Sequence, residues 1–146
     1  MSDFKKLSEH IWASPQLTLD DVTEAKSRGF AMIVNNRPEG EADDQTPGAA
    51  IADAAAANGM AYRAIPITPG QFGEDQIAQL IDALESAEGP VLAYCRTGTR
   101  STLLWSLAQA KSGMAVDDIA EAAASAGYDV GPVRPVLDML AAQAGA

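Results

Sequence analysis

Gly89-Pro90-Val91-Leu92-Ala93-Tyr94-Cys95-Arg96-Thr97-Gly98-Thr99-Arg100-Ser101, running on into the apolar stretch 102–110, decides how the rest of the chain is read. Residues 91–94 predict a buried strand, and the only cysteine stands at its C-terminal end. A six-residue turn containing Gly98 follows, and then a helix begins. Backbone N–H groups of such a turn can converge on one anion, and the helix start adds unpaired donors and a positive dipole end. The same field favours negative charge on the sulfur, which makes a cysteine nucleophilic near neutral pH. Arg100 is placed to clamp a bound anion through paired hydrogen bonds. Gly98 lets the backbone bend or approach a ligand where a side chain would not fit. Cys95 and Arg100 are therefore the candidate catalytic pair, with Arg96, Thr97, Gly98, Thr99 and Ser101 as candidate anion-binding residues.

Working outward, 146 residues fit one domain spanning 1–146. A chain of this size buries about 68–70% of its unfolded surface without a disulfide or metal. A single cysteine excludes an internal disulfide and a thiolate zinc cluster, and it leaves any sulfur accepted by Cys95 to pass to an external thiol. Asp43 and Asp44 have no spacing that fixes a metal, so neither metal nor cofactor is expected. The formal charge of −10 argues against nucleic acid and anionic membrane as partners and repels an anionic substrate at long range. Amides and arginines must therefore capture that substrate locally. The start, Met1-Ser2-Asp3-Phe4-Lys5-Lys6, lacks an apolar signal core and no run approaches a membrane span, so a soluble cytoplasmic protein is expected.

Strands and helices alternate along the chain. Ile11-Trp12-Ala13 predicts a first strand, and His10 beside it is assigned no role. Thr18 with Asp21 matches a capping box opening a helix that ends at Gly29. Residues 30–34 predict a buried strand ending at Asn35-Asn36-Arg37-Pro38. The acidic stretch 39–47 reads as a solvated loop. Residues 48–57 form an alanine-rich helix stopped by Asn58-Gly59, and 60–67 form the next strand. After the loop 68–75, Ile77, Leu80, Ile81 and Leu84 mark an amphipathic helix. Only helices follow the cysteine turn: the one carrying Leu103, Leu104, Trp105 and Leu107, then 116–126 and 133–142. This pattern gives an α/β domain with the cysteine turn outside the carboxyl end of a strand. Tyr128, Arg134 and Arg37 are further charged or polar candidates that linear spacing does not place.

Cys95, Gly98 and Arg100-Ser101 resemble two families with an anion-cradling loop. Tyrosine and dual-specificity-type phosphatases read His-Cys, five residues, Arg-Ser/Thr; rhodanese sulfurtransferases are one residue shorter, often Cys-Arg-x-Gly. Here four residues separate Cys95 from Arg100. The helical tail and the strand 62–67 before a Pro-containing loop resemble the phosphatases, whereas the loop length and Arg96 resemble rhodanese. The combination is similar to the bacterial phosphatase-like domain of beta-lactamase hydrolase-like proteins, over nearly the whole chain. That resemblance implies a phosphotyrosine-phosphatase-like three-layer α/β domain. A mostly parallel sheet of four or five strands would be flanked by helices, with an all-helical C-terminal part. It also implies a phosphatase-like label, and relatives joined to sulfide-oxidising enzymes imply sulfur transfer and such enzymes as partners.

The chemistry of the residues separates the two activities. A phosphatase must protonate a poor leaving oxygen, and the related phosphatases carry an aspartate in the loop where this chain has Thr68-Pro69-Gly70. The histidine before the nucleophile is Tyr94, and the loop is one residue short. Sulfur transfer from thiosulfate or a persulfide needs no acid, because sulfite or a thiolate leaves unaided. The sequence therefore favours a rhodanese-type sulfurtransferase working through a Cys95 persulfide. Its alternatives are a phosphatase working through a Cys95 phosphocysteine, and a non-catalytic persulfide carrier or anion-binding module. The expected substrate is a small anion: thiosulfate, a persulfide or a phosphate ester.

Overall fold

The computed structural model describes residues 3–145. A five-stranded sheet forms from β1 (Lys5–Lys6), β2 (Ile11–Ser14), β3 (Met32–Asn35), β4 (Ala61–Ala64) and β5 (Val91–Tyr94), in the order β1-β2-β5-β3-β4. Only β1 runs antiparallel, at the edge beside β2. Parallel strands need crossovers, and three helices supply them: α1 (Leu19–Ser27), α2 (Gly48–Ala57) and α3 (Glu74–Ser86); α4 (Thr99–Lys111), α5 (Val116–Ser125) and α6 (Arg134–Ala144) follow the last strand. The expected mostly parallel three-layer α/β architecture with a helical C-terminal part is the observed one.

Alternation along the central strands sends side chains to two cores. Leu92 and Tyr94 of β5 join Ile33, Leu17, Val22 and Ile51 under α1 and α2. Val91 and Ala93 join Met32, Val34, Leu80, Leu104 and Leu107 on the opposite face, with α3 to α6. α4 is buried on nearly every side, Trp105 at 1% exposure included, as expected of a helix enclosed by other elements. Trp105 is thus a core residue. Two hydroxyls travel with α4 into the core and are satisfied on its own backbone: Thr102 Oγ1 donates to the Gly98 carbonyl at 2.9 Å and Ser106 Oγ to that of Thr102 at 2.8 Å.

Local chemistry sets the boundaries. At α1 the Thr18–Asp21 capping box is complete, with Asp21 N–H on Thr18 Oγ1 at 3.1 Å and Thr18 N–H on Asp21 Oδ2 at 2.8 Å. α4 starts earlier than its apolar run suggests, because Gly98 in the left-handed region (φ 92°) serves as its N-cap. The turn after Cys95 is correspondingly tight, and Arg100 and Ser101 ride on the first turn of α4.

Candidate active site

β5 ends between β2 and β3, and both neighbours hold the cysteine in place. Cys95 N–H donates to Ser14 O at 3.3 Å, Asn36 N–H to Tyr94 O at 2.8 Å, and Gln16 N–H to Arg96 O at 3.2 Å. Tyr94 itself points into the α1/α2 core, where burial pushes its hydroxyl pKa up. Its contribution before the cysteine is packing.

Cys95 is 1% exposed, yet its surroundings are not hydrocarbon alone: Gly98 N–H donates to Sγ at 3.1 Å. An amide donor and the start of a 13-residue helix both stabilise negative charge at that sulfur. Among the described residues the N–H groups of Arg96, Thr97 and Arg100 donate to no protein acceptor and so remain free for a ligand. Thr97 and Thr99 are exposed and bonded to each other, hydroxyl to hydroxyl at 3.0 Å. Arg96 is exposed at the rim with no ion pair among the described residues.

Arg100 is fixed from the side away from the sulfur. Its Nη1 donates to Glu41 Oε2 at 2.7 Å and to the Ile67 carbonyl at 2.8 Å, and Nη2 donates to Glu41 Oε1 at 2.8 Å. The Nε–H and the second Nη2–H, one bidentate edge of the guanidinium, donate to no protein oxygen, and the guanidinium lies within hydrogen-bonding reach of Cys95. The hydrogen bonds to the Glu41 carboxylate raise the Arg100 pKa above its ordinary value, and the neighbouring Cys95 adds to it. Arg37, 5% exposed, supports the arrangement from below, with Nε on Glu41 Oε1 at 2.9 Å and Nη1 on Gln16 Oε1 at 3.0 Å. Hydrogen bonds from Arg100, and secondarily from Arg37, hold the Glu41 carboxyl below its usual range against the opposing cost of burial.

Two expectations need correction. The stretch 39–47 is not simply a solvated loop: Glu41 ties it to Arg100, and Glu39 Oε1 accepts the Gly48 N–H at the start of α2 at 2.8 Å. Ser101, expected among the anion-binding residues, turns its hydroxyl elsewhere: it is buried and donates to Asn36 Oδ1 at 2.7 Å, joining α4 to the end of β3. Asn36 in turn donates to the Ile65 carbonyl at 2.9 Å. Arg134 stays away from the site, paired with Asp117 at 3.0 Å. Tyr128 does reach it: its hydroxyl donates to the Thr97 carbonyl at 3.1 Å and covers Gly98, where an added Cβ would collide with it. Burial, reinforced by the charge on Cys95, pushes the Tyr128 phenol up to about 12.

Glu41 is the residue that sequence reasoning missed. A signal existed, since an arginine held near an anion site needs a counter-charge, and Glu41 stands four residues after Arg37.

The phosphatase-like domain model of beta-lactamase hydrolase-like proteins matches residues 3–112. A beta-lactamase hydrolase-like protein of Xylella fastidiosa (strain 9a5c) is 32% identical over 138 residues, which is 94% of this chain and 32% of that protein. The chain thus spans about a third of the length of the curated relatives it matches. The crystal structure of a candidate phosphatase from Neisseria meningitidis is 35% identical with a TM-score of 0.86, covering 96% of this chain and 99% of that one. A P. aeruginosa TpbA variant in complex with phosphotyrosine has a TM-score of 0.67 at 16% identity, over 98% of this chain and 90% of that one. At that identity the likeness shows the fold alone.

Proposed function

The chain belongs to the phosphatase-like domain family of beta-lactamase hydrolase-like proteins, and from that premise we propose that it is a cysteine-dependent phosphoryl hydrolase acting through a Cys95 phosphocysteine. The observation that carries the reading is the pairing of a sulfur held by an amide with a guanidinium held by a carboxylate. Gly98 N–H fixes Cys95, and Glu41 with the Ile67 carbonyl turns the remaining edge of Arg100 toward the anion. A phosphoryl dianion seated between them meets the nucleophile, the turn amides and a bidentate clamp together. As the reaction proceeds these donors stabilise the equatorial oxygens, where charge is held in the transition state.

Sulfur transfer, which the residues alone favour, has no support among the relatives, whereas their phosphatase-like fold supports the hydrolase. One observation still speaks for a sulfur substrate. The loop after β4 carries Thr68 rather than an acid, and sulfite or a thiolate departs without one.

Parallel assays decide between them. Release of inorganic phosphate from p-nitrophenyl phosphate is measured beside transfer of sulfur from thiosulfate to cyanide, with the wild type and Cys95→Ser. The expected outcome is phosphate release that Cys95→Ser abolishes. Sulfur transfer without phosphate release would overturn the reading. Arg100→Ala is expected to raise KM roughly 10- to 100-fold, the worth of one or two charge-assisted hydrogen bonds of about 1.5–3 kcal/mol.

A further inference from the structure

Transfer of a phosphoryl group to Cys95 expels an oxygen leaving group from the side of phosphorus opposite the sulfur. A basic oxygen needs a proton as it leaves, and a positioned acid contributes about 10²–10⁴-fold. Such a donor would have to come from the titratable groups around the cysteine turn.

Glu41 is closest in function, but its carboxylate is held as an anion, with both oxygens taken by Arg100 and Arg37. Glu39 is engaged by the Gly48 N–H. Tyr128 gives its hydroxyl hydrogen to the Thr97 carbonyl and lies over Gly98. His10 lies at the far end of the sheet, where its carbonyl accepts the N–H of Val91, the first residue of β5. Glu74 and Asp75 are exposed on the first turn of α3, and Glu74 borders a cleft with Lys111 and Leu140 that no residue of the cysteine turn lines. Asp43 and Asp44 are exposed, and Arg37, Arg96 and Arg100 do not give up protons.

The loop between β4 and α3 does reach the site, since the Ile67 carbonyl accepts from Arg100. Beyond Ile67 the chain continues Thr68-Pro69-Gly70-Gln71-Phe72-Gly73, which offers a hydroxyl and an amide but no carboxylate or imidazole. This loop, which reaches the site beside Arg100, thus carries no carboxylate or imidazole to give up a proton near neutral pH.

We infer that this site, read as a phosphoryl hydrolase, selects phosphoryl groups borne on leaving groups that are stable as free anions. Acyl phosphates come first, then phosphates of strongly acidic phenols; phosphotyrosine and phosphoserine are poor substrates. In the first step the Cys95 thiolate attacks phosphorus, the S–P bond forms, and the P–O bond breaks with its electron pair leaving on the carboxylate, unprotonated. In the second, the oxygen of water bonds to phosphorus and the S–P bond breaks with its pair returning to sulfur. Both hydrogens of that water leave on the released phosphate.

The test assays the full chain near pH 7 with acetyl phosphate, phosphotyrosine and a series of aryl phosphates from dinitrophenyl to phenyl. Cys95→Ser subtracts spontaneous hydrolysis, and kcat/KM is read because it ends at loss of the leaving group. The expected result is a steep fall in kcat/KM as the leaving group becomes more basic. Phenyl phosphate and phosphotyrosine should trail dinitrophenyl and acetyl phosphate by about 10²–10⁴-fold, the share a positioned acid would supply. A flat series with ready hydrolysis of phosphotyrosine overturns the inference and leaves the hydrolase standing. No hydrolysis of any of these donors overturns both.

Discussion

At Glu41 one carboxylate serves two guanidinium groups, and its pH behaviour is set by that. Its folded-state pKa lies below the ordinary 4.5, so the stability it contributes is complete above 4.5 and is lost as pH falls through the lower folded value. Glu41→Gln removes the charge while keeping the shape. It is expected to destabilise the protein by about 1–3 kcal/mol at pH 7, the scale of hydrogen bonds to charged groups. Urea unfolding of the two proteins at pH 7 and again well below 4.5 checks this: the gap between them should close at low pH. A gap that persists unchanged would mean that the carboxylate's charge is not what holds Arg100. In phosphate release the same variant should raise KM more than it lowers kcat, since Glu41 positions the arginine and does not touch the reacting atoms.

The turn from β5 into α4 is the element on which the site depends, and Gly98 is its tightest point. Its φ of 92° and the Tyr128 hydroxyl over it both exclude a side chain. Gly98→Ala is expected to cost at least the 1–2 kcal/mol or so of a left-handed residue, with a further loss from the collision. Adding Tyr128→Ala should restore only the second part, as read from urea midpoints; full recovery would show that the backbone conformation was not the constraint. Elements stabilised by local pattern were legible in the sequence: the apolar run of β5, the Thr18–Asp21 box, and the alanine run of α2 between its turn residues. β1 was not, because Lys5–Lys6 carries no apolar alternation and pairs only as an edge. The start of α4 was misplaced because its cap is a backbone conformation rather than a capping side chain. The role of the 39–47 loop was hidden for a different reason. Glu41 meets Arg100 across 59 positions of chain, and no local window contains both. The tight turn that brings the Gly98 amide to Cys95 was readable from the strand-end cysteine and the glycine; the partner of Ser101 was not, since Asn36 is 65 residues away.

Over the whole molecule, a formal charge of −10 surrounds a site that carries Arg96 and Arg100. Long-range repulsion and local attraction act over different distances, so salt separates them. Raising ionic strength from about 10 to 150 mM shortens the screening length from about 30 to 8 Å and should raise kcat/KM for an anionic phosphate donor. A fall would mean that the arginines already dominate the approach. No helix among the described residues is long and apolar enough to cross a membrane. The two cores hold the sheet ends that carry Cys95 and Asn36 in fixed register, and the proposed anion cradle rests on that register. Which group passes through that cradle is decided most directly by trapping the intermediate. The protein is mixed with dinitrophenyl phosphate, and separately with thiosulfate, quenched in acid within the first turnovers and weighed intact, with the modified residue located by fragmentation. The account requires the mass of a phosphoryl group on Cys95 from the phosphate donor, and none on Cys95→Ser. A sulfur atom on Cys95 from thiosulfate, with no phosphoryl adduct from the phosphate donor, would contradict it.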